Sequence, residues 1–253
     1  MENVSETVNK AMDLLELFLQ KDGEFSLAEL SSLSGFNKAT AYRLSSTLVK
    51  RGILSQREKN GKYSLGLKML DFSYAIRRNI KFIELAYLYL SRMSRDLNVS
   101  AYISVLDADS SLVIEEVAVV DSMRINSPIG KRLPLHATAC GKVLLSSLSS
   151  DERRAFYSRN LLQPFTHRTM TDVSELEKEI ENVKIKGIAL GEEDYKIGLY
   201  AIAAPLQNGS GATIAAAGIV VPLSRANAQI RQKLATELKG CTAQISQVIG
   251  RIT

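Results

Sequence analysis

The sequence predicts an α+β protein with a small helical N-terminal domain, a connecting helix, and a larger domain of helices around a sheet. Apolar residues recur at helical spacing through the first fifty residues, whereas from Ser100 onward they alternate as in strands. The length of 253 residues suits one large domain or two modest ones. The segment from Leu30 to Lys68 contains eight basic residues and one acidic residue. Its net charge is +7, whereas the net charge of the whole chain is +5.

The composition is that of an ordinary globular protein. With 45% hydrophobic and 23% charged residues, it excludes collagen, coiled-coil rods and wholesale disorder. No apolar run approaches the roughly 18–20 residues that span a bilayer, and acidic residues precede the first basic one, so we expect neither a membrane partner nor a signal peptide. The two cysteines, Cys140 and Cys241, are too few for a disulfide framework and, with two histidines, for a structural zinc site. We therefore expect a cytoplasmic protein without metal or cofactor.

The first two elements are predicted to be helices. Residues 5–20 form an amphipathic pattern. The face expected to be buried carries Val4, Val8, Ala11, Leu15 and Phe18. Ser26 and Glu29 have the spacing of a capping box, which predicts that a second helix begins there. Its expected apolar stripe consists of Leu27, Leu30 and Leu33.

A third helix follows a tight turn at Gly35, with Asn37 as its cap and Gly52 at its end. Its inward face is expected to carry Ala41, Leu44 and Leu48. Two helices joined by a short glycine turn form a helix-turn-helix. The outward face of the third helix then presents donors suited to phosphates and base edges: Lys38, Ala39, Thr40, Tyr42, Arg43, Ser46 and Lys50. Arg43 has the geometry for a bidentate contact to guanine.

Asn60-Gly61, between two extended runs, predicts a two-residue hairpin, and hence a winged helix-turn-helix with a cationic tip. Winged helices also serve as protein-docking modules, but the capping box, glycine turn, cationic third helix and basic hairpin together favour DNA binding. The predicted DNA-binding residues are Ser26, Asn37, Lys38, Ala39, Thr40, Tyr42, Arg43, Ser46, Lys50, Lys59, Asn60 and Lys62.

A connector follows the wing. Residues 67–78 and 80–97 are predicted to be helical, with a break at residues 77–79. Met69, Phe72 and Tyr74 on the first of these helices suggest either a self-association face or packing against the N-terminal domain.

The second domain is predicted from changes in periodicity and from turn residues. The expected strands cover residues 101–106, 112–120, 188–191, 200–206 and 212–221, and Asn208–Gly211 is the turn between the last two. The expected helices are 136–145, a helix with a capping box at Ser174 and Glu177 that ends at Gly187, and 224–249. A sheet flanked by helices is an α+β domain.

These motifs resemble a known family. Residues 26–31, 34–44 and 61–66 resemble the N-terminal domain of IclR-type bacterial transcriptional regulators, and residues 133–146 and 187–222 resemble the two signature blocks of the IclR effector-binding domain, a GAF-like α+β fold. The resemblance covers nearly the whole chain in the same order. It implies a homodimer or dimer of dimers that binds double-stranded operator DNA and responds to a small organic acid, as a repressor or an activator.

The resemblance divides the chain into a DNA-binding domain at 1–66, a linker helix at 67–80, and an effector-binding and oligomerisation domain at 81–253. It places the effector pocket between the block around Cys140 and the last two strands. The backbone amides of Ala139 and Cys140 would hold a carboxylate, as helix N-termini favour anions. The predicted effector-binding residues are Ala139, Cys140, Gly191, Ala201, Gly218 and Val220.

Relatives that bind very small oxo-acids carry polar side chains at the positions of Gly191, Ala201, Gly218 and Val220, where this chain has none. We therefore expect an acid with a larger or less polar body, aromatic or sugar-derived, over glyoxylate or pyruvate, with the glycines leaving room for it. The alternative is that the alignment slips by one residue across the Asn208–Gly211 turn.

Two other functional classes remain open at this point. One is an enzyme in residues 100–250, using Cys140 with His136 or the carboxylates of Glu192, Glu193 and Asp194. The other is a docking scaffold that never touches DNA. A nucleotide-binding loop at Gly141-Lys142 is excluded because His136 and Val143 stand where such a loop needs Gly and Ser or Thr.

Overall fold

The computed structural model describes residues 4–21, 23–58, 60–118 and 129–252. The chain forms two compact units, Met1–Lys81 and Phe82–Thr253. No helix in the described ranges is both long and apolar enough to cross a membrane.

The first unit is a winged helix-turn-helix followed by a helix. Its elements are α1 (Glu6–Gln20), α2 (Leu27–Ser34), α3 (Lys38–Lys50), β1 (Leu54–Gln56), β2 (Tyr63–Leu65) and α4 (Lys68–Asn79). The core comprises Leu14, Phe18, Phe25, Leu30, Leu54 and Tyr63. The Phe18 and Phe25 rings meet edge to face, 4.9 Å between centroids.

Two predicted faces in this unit are wrong in part. Val4 and Val8 are 57% and 58% exposed, whereas Phe18 of the same expected face is buried, together with Leu14, which was not expected. Leu33, at the last turn of α2, is 56% exposed. The buried face of α1 is set by the packing of Leu14 and Phe18 against Leu30 and Phe25, which the local pattern does not contain.

The predicted two-residue hairpin is also wrong, since residues 57–62 separate the paired residues Gln56 and Tyr63. Tyr63 is held in register by Phe25, with which it exchanges two backbone hydrogen bonds of 2.9 and 2.7 Å. The N–H of Gly61 donates to the Glu58 carbonyl, and Asn60 takes a φ of 66°. Core packing of Tyr63 therefore overrides the local turn preference.

The second unit contains a six-stranded antiparallel sheet in the order β5-β4-β3-β8-β7-β6. Its elements in chain order are α5 (Phe82–Leu97), β3 (Ser100–Asp107), β4 (Ser110–Val117), β5 (Arg132–Pro134), α6 (Ala139–Ser147), α7 (Ser150–Arg159), α8 (Val173–Lys186), β6 (Ala189–Glu192), β7 (Leu199–Gln207), β8 (Thr213–Pro222), a 3-10 turn (Leu223–Arg225) and α9 (Ala228–Ile252). The predicted α+β class is confirmed. Strand β5 and helix α7 were not predicted from the sequence. Residues 119 and 120 of the second expected strand lie outside the described residues.

The capping box expected at Ser174 is wrong. Helix α8 begins after Asp172, whose Oδ1 accepts the Glu175 N–H at 2.9 Å. Glu177 is not free to reach back, because its carboxylate binds the Arg153 guanidinium at 2.8 and 2.9 Å. The helix ends as expected at Gly187, whose φ of 64° suits glycine.

Helix α6 starts three residues later than expected, after Thr138. The Thr138 hydroxyl accepts the Gly141 N–H at 3.1 Å and donates to the Pro134 carbonyl at 2.8 Å. Helix α6 packs against the sheet face that carries Tyr102, Ala203 and Val220, and it also packs against α8. This packing brings the N-terminus of α6 to the sheet.

Candidate functional site

The first unit presents a polar, cationic face on α3. The Ser26 hydroxyl accepts the Glu29 N–H at 3.2 Å, and the Glu29 carboxylate accepts the Ser26 backbone N–H at 2.8 Å, which completes the predicted capping box. Gly35 takes the predicted positive φ of 71°, and Asn37 Oδ1 accepts the Thr40 N–H at 2.8 Å. These contacts fix the turn between α2 and α3.

The structure brings most of the predicted DNA-binding residues to one side of α3 or to the wing. The exposed members are Asn37, Lys38, Ala39, Tyr42, Arg43, Lys50, Asn60 and Lys62. Thr40 and Ser46 are half-buried, as is Ser26, whose hydroxyl is engaged by the capping box. Lys59 lies outside the described residues.

The second unit holds a pocket of about 170 Å³ above one face of the sheet. Its floor includes Gly191, Ala201 and Val220, which pair across β6, β7 and β8. The remaining lining residues are Tyr102, Lys131, Leu133, Ala137, Thr138, Ala139, Glu193, Asp194, Tyr195, Lys196 and Leu199.

Four of the six predicted effector-binding residues, namely Ala139, Gly191, Ala201 and Val220, line this pocket. Cys140 and Gly218 lie behind it. A Cβ on Gly218 would stand 2.7 Å from Cys140 Sγ, so the room expected at this glycine is already filled. At Gly191 the room exists, since the atoms nearest to an added Cβ lie 3.6–3.8 Å away.

The first turn of α6 opens on the pocket. A Cβ on Gly191 would lie 3.8 Å from the Ala139 nitrogen. The N–H groups of Ala139 and Cys140 are the first two of the helix and have no acceptor within it, while Thr138 takes the N–H of Gly141. N–H groups without an acceptor inside the helix, and the positive end of the helix dipole, make this corner suitable for an anion.

The carboxylate cluster of the sequence is held by other groups. Asp194 pairs with the buried Lys142 ammonium at 2.5 Å, and Lys142 also donates to the Leu190 carbonyl at 3.0 Å. Glu193 accepts the Gly198 N–H at 2.7 Å, and Glu192 pairs with Arg231. Glu193 and Asp194 therefore belong to the wall of the pocket, whereas Glu192 does not line it. Sequence spacing did not indicate Lys142, because its partner Asp194 lies 52 residues away.

The geometry also removes the thiol mechanism. Cys140 is fully buried, and this burial raises the pKa of its thiol to about 12, so it stays protonated. His136 Nε2 lies 3.0 Å from the Gln163 carbonyl. Burial lowers the pKa of His136, with an opposing effect from that hydrogen bond. A protonated thiol and an imidazole engaged elsewhere do not form a nucleophile–base pair.

Two aromatic residues of the pocket lining, Tyr102 and Tyr195, were not predicted from the sequence. Tyr195 packs against Phe165 with the ring planes tilted by 55° and 5.1 Å between centroids. The loop that carries Phe165 is tied to this wall by Thr166 and Thr169, which donate to the carbonyls of Glu193 and Asp194, both at 2.6 Å. Tyr102 lies within the strand predicted at residues 101–106, but β3 is buried from Ala101 to Ser104, so the sequence did not show which of its side chains meet the pocket.

A winged helix-turn-helix unit and a second unit with a small-molecule pocket define the class of ligand-responsive transcriptional regulators. Residues 7–58 match the profile of the IclR helix-turn-helix domain, and residues 74–247 match that of the bacterial transcriptional regulator IclR C-terminal domain. The chain belongs to the IclR family. Its relatives are named as regulators or repressors, and it is a transcriptional regulator, not an enzyme.

Three similar proteins show the extent of the match. The regulator KipR of Bacillus subtilis is 30% identical over 250 residues, which is 99% of each chain. A crystal structure of a transcriptional regulator from Rhodococcus sp. RHA1 is 27% identical, with a TM-score of 0.88 over 99% of this chain and 100% of that one. An IclR homologue from Microbacterium hydrocarbonoxydans, complexed with 4-hydroxybenzoate, has a TM-score of 0.87 at 21% identity and covers 98% and 100%.

Proposed function

We propose that the protein binds a specific operator in double-stranded DNA and that a small carboxylate effector controls this binding. The observation that carries the effector assignment is the first turn of α6 opening on the pocket at Ala139. Residues 1–66 would bind DNA, 67–80 form the linker helix, and 81–253 bind the effector and oligomerise. Bacterial operators lie in the cytoplasm, where we expect the protein to act.

The pocket favours an acid with a larger or less polar body than glyoxylate or pyruvate. Leu133, Leu199 and Val220 and the rings of Tyr102 and Tyr195 make up much of its lining. A tiny oxo-acid would leave these surfaces uncovered, whereas an aromatic or sugar-derived acid would cover them. The 4-hydroxybenzoate in the Microbacterium homologue supports an aromatic acid for this fold.

The exposed face of α3 would read the major groove, and the wing would contact the backbone. Two recognition helices in a dimer match half-sites about one helical turn apart, so we propose a homodimer or a dimer of dimers. The apolar side chains exposed on α4, which include Phe72 at 52% and Tyr74 at 66%, are the surface we assign to dimer formation.

A thermal-shift screen tests the effector class. The panel contains glyoxylate, pyruvate, benzoate, 4-hydroxybenzoate and D-glucuronate at equal millimolar concentration, each beside its neutral amide. We expect a larger acid to raise Tm most and its amide to raise Tm little. A larger shift with glyoxylate or pyruvate than with every larger acid would overturn the size preference, and equal shifts with acids and amides would overturn the carboxylate site.

Salt dependence tests the DNA surface. Each phosphate contact lowers log affinity by about 0.9 for a tenfold rise in salt, so affinity for bound genomic fragments should fall steeply. A flat profile between dilute and physiological buffer would contradict the assignment and favour a docking module.

A further inference from the structure

Tyr102 lines the pocket, and among the described residues its buried hydroxyl has no strong acceptor. It is 6% exposed, and it lines the pocket together with Ala139. The partner that the described residues give its hydroxyl is the Cys140 sulfur. Thiol sulfur is a weak acceptor, whereas a buried phenol hydroxyl usually has a strong one. The hydroxyl therefore retains capacity for a ligand.

The sheet register explains how the phenol reaches this position. Ala189, Ala203, Gly218 and Tyr102 form one lateral row across β6, β7, β8 and β3. The other three members of the row are small, and the Tyr102 ring occupies the space above Gly218. A Cβ on Gly218 would lie only 3.1 Å from Tyr102 Cζ. Gly218 thus provides the room that brings the Tyr102 hydroxyl to the first turn of α6.

Burial also fixes the protonation state of the phenol. It raises the pKa of Tyr102 well above its ordinary value, with a smaller contribution from Cys140. The hydroxyl is therefore a donor at every physiological pH. Beside it lie the N–H groups of Ala139 and Cys140, which have no acceptor within α6. Three donors at one corner call for an acceptor that carries negative charge.

We propose that Tyr102 donates a hydrogen bond to the effector carboxylate, together with the N–H groups of Ala139 and Cys140. This inference rests on the proposed carboxylate effector and deepens it by naming a side chain that reads the charge. Tyr102 would then supply, from β3, polarity that the side chains at 191, 201, 218 and 220 lack. Because charge-assisted hydrogen bonds are short and directional, the contact distinguishes an acid from its amide.

Titration calorimetry of the full-length protein tests the contact, using benzoate, 4-hydroxybenzoate and D-glucuronate with their amides. Tyr102→Phe removes only the hydroxyl and should lower affinity for the best acid about 10- to 100-fold, the range for a hydrogen bond to a charged group. Affinity for the matching amide should change much less. The control is Tyr200→Phe, which removes another buried phenol hydroxyl from the same sheet, outside the pocket lining, and should leave acid binding unchanged.

Each outcome decides a different point. If no acid binds the wild-type protein, the proposed effector class and this inference both fail. If an acid binds the wild type and Tyr102→Phe equally well, or if Tyr102→Phe weakens acid and amide alike, only the contact from Tyr102 to the carboxylate fails.

Cys140→Ser provides a second variant that leaves Tyr102 in place. It gives the Tyr102 hydroxyl a stronger competing acceptor and should weaken acid binding several-fold. In the Tyr102→Phe background the same substitution should have little further effect, because the hydroxyl for which they compete is gone. Additive effects of the two substitutions would overturn the proposal.

Discussion

Arg43 and Lys62 lie on different parts of the proposed DNA-binding surface, and replacing each by alanine should change DNA binding in a different way. Both are exposed, Arg43 on α3 and Lys62 in the wing, at the end of the loop between β1 and β2. Arg43→Ala should cost about 1–3 kcal/mol of operator binding and relax preference at one base pair, because a guanidinium reads a base edge. Lys62→Ala should weaken all sequences alike and lower the salt slope by roughly one contact.

The measurement is binding to the operator and to single-base variants of it, at several salt concentrations. Lys178→Ala, which removes an exposed lysine from α8 in the other unit, is the control and should change neither value. If Arg43→Ala weakened every sequence equally while Lys62→Ala relaxed one position, the roles of helix and wing would be exchanged.

Gly141 allows the first turn of α6 to lie directly against the backbone of Leu135. An added Cβ would overlap the Leu135 carbonyl oxygen and lie 2.5 Å from Leu135 Cα, and backbone atoms cannot rotate away. We expect Gly141→Ala to destabilise the protein by about 1–3 kcal/mol in urea unfolding and to reduce the acid-induced Tm shift. The matched control is Gly240→Ala in α9, where nothing lies within 4 Å of the added Cβ.

At Gly240 the same substitution should raise stability by about 0.5–1 kcal/mol, because alanine costs less entropy than glycine inside a helix. Equal destabilisation by both substitutions would mean that the close approach of Gly141 to Leu135 does not set the position of α6.

Helix α4 exposes apolar residues along its length. By the helical period, Met69, Phe72 and Ile76 share one stripe, whereas Tyr74 lies with Leu70 on another. Phe72 and Ile76 are 52% and 61% exposed. If a second copy covers this stripe, replacing both residues by Glu should shift the protein from dimer to monomer at micromolar concentration.

Sedimentation equilibrium measures this shift, with Asp71→Lys on the polar side of α4 as a control that should remain dimeric. A wild-type protein that is monomeric at micromolar concentration would contradict the assignment. So would a double variant that dimerises as strongly as the wild type.

Local signals predicted the element types better than they predicted faces and ends. The caps at Ser26 and Asn37 act within three residues, and both are present as expected. The buried face of α1 and the register of Tyr63 depend on contacts with Leu30 and Phe25, which no local pattern contains. The same reason explains why the capping box expected at Glu177 is absent, because its carboxylate accepts a hydrogen bond from Arg153.

The pocket shows the same limit at the level of tertiary structure. The resemblance named four residues that line it, because signature blocks preserve their spacing. It did not name Tyr102, and it assigned free space to Gly218, since only the packing of β3 and α6 shows that the ring and the Cys140 sulfur fill that space. Cross-strand rows are visible only once the sheet order is known.

For the whole molecule, the effector and the operator are two ligands of one protein, and their effects on each other must be equal. If a saturating acid changes the operator Kd by some factor, saturating operator must change the acid Kd by the same factor. Allosteric coupling of this kind is typically about 1–3 kcal/mol, or roughly 5- to 150-fold. We therefore expect fluorescence titrations of operator with and without acid, and of acid with and without operator, to give one factor.

Arg43→Ala separates the effect on operator binding from the effect on acid binding in this experiment. It should weaken operator binding but leave the acid Kd of the DNA-free protein unchanged, since Arg43 and the pocket belong to different units. Tyr102→Phe should do the reverse, lowering acid affinity while operator binding without acid stays as in the wild type. If saturating acid left the operator Kd unchanged, the acid would bind without regulating, because a ligand can shift an equilibrium only through different affinities for its two states. If acid changed the operator Kd but operator did not change the acid Kd by the same factor, the two titrations would not be reporting the same protein species. The proposed regulation would then have no thermodynamic basis.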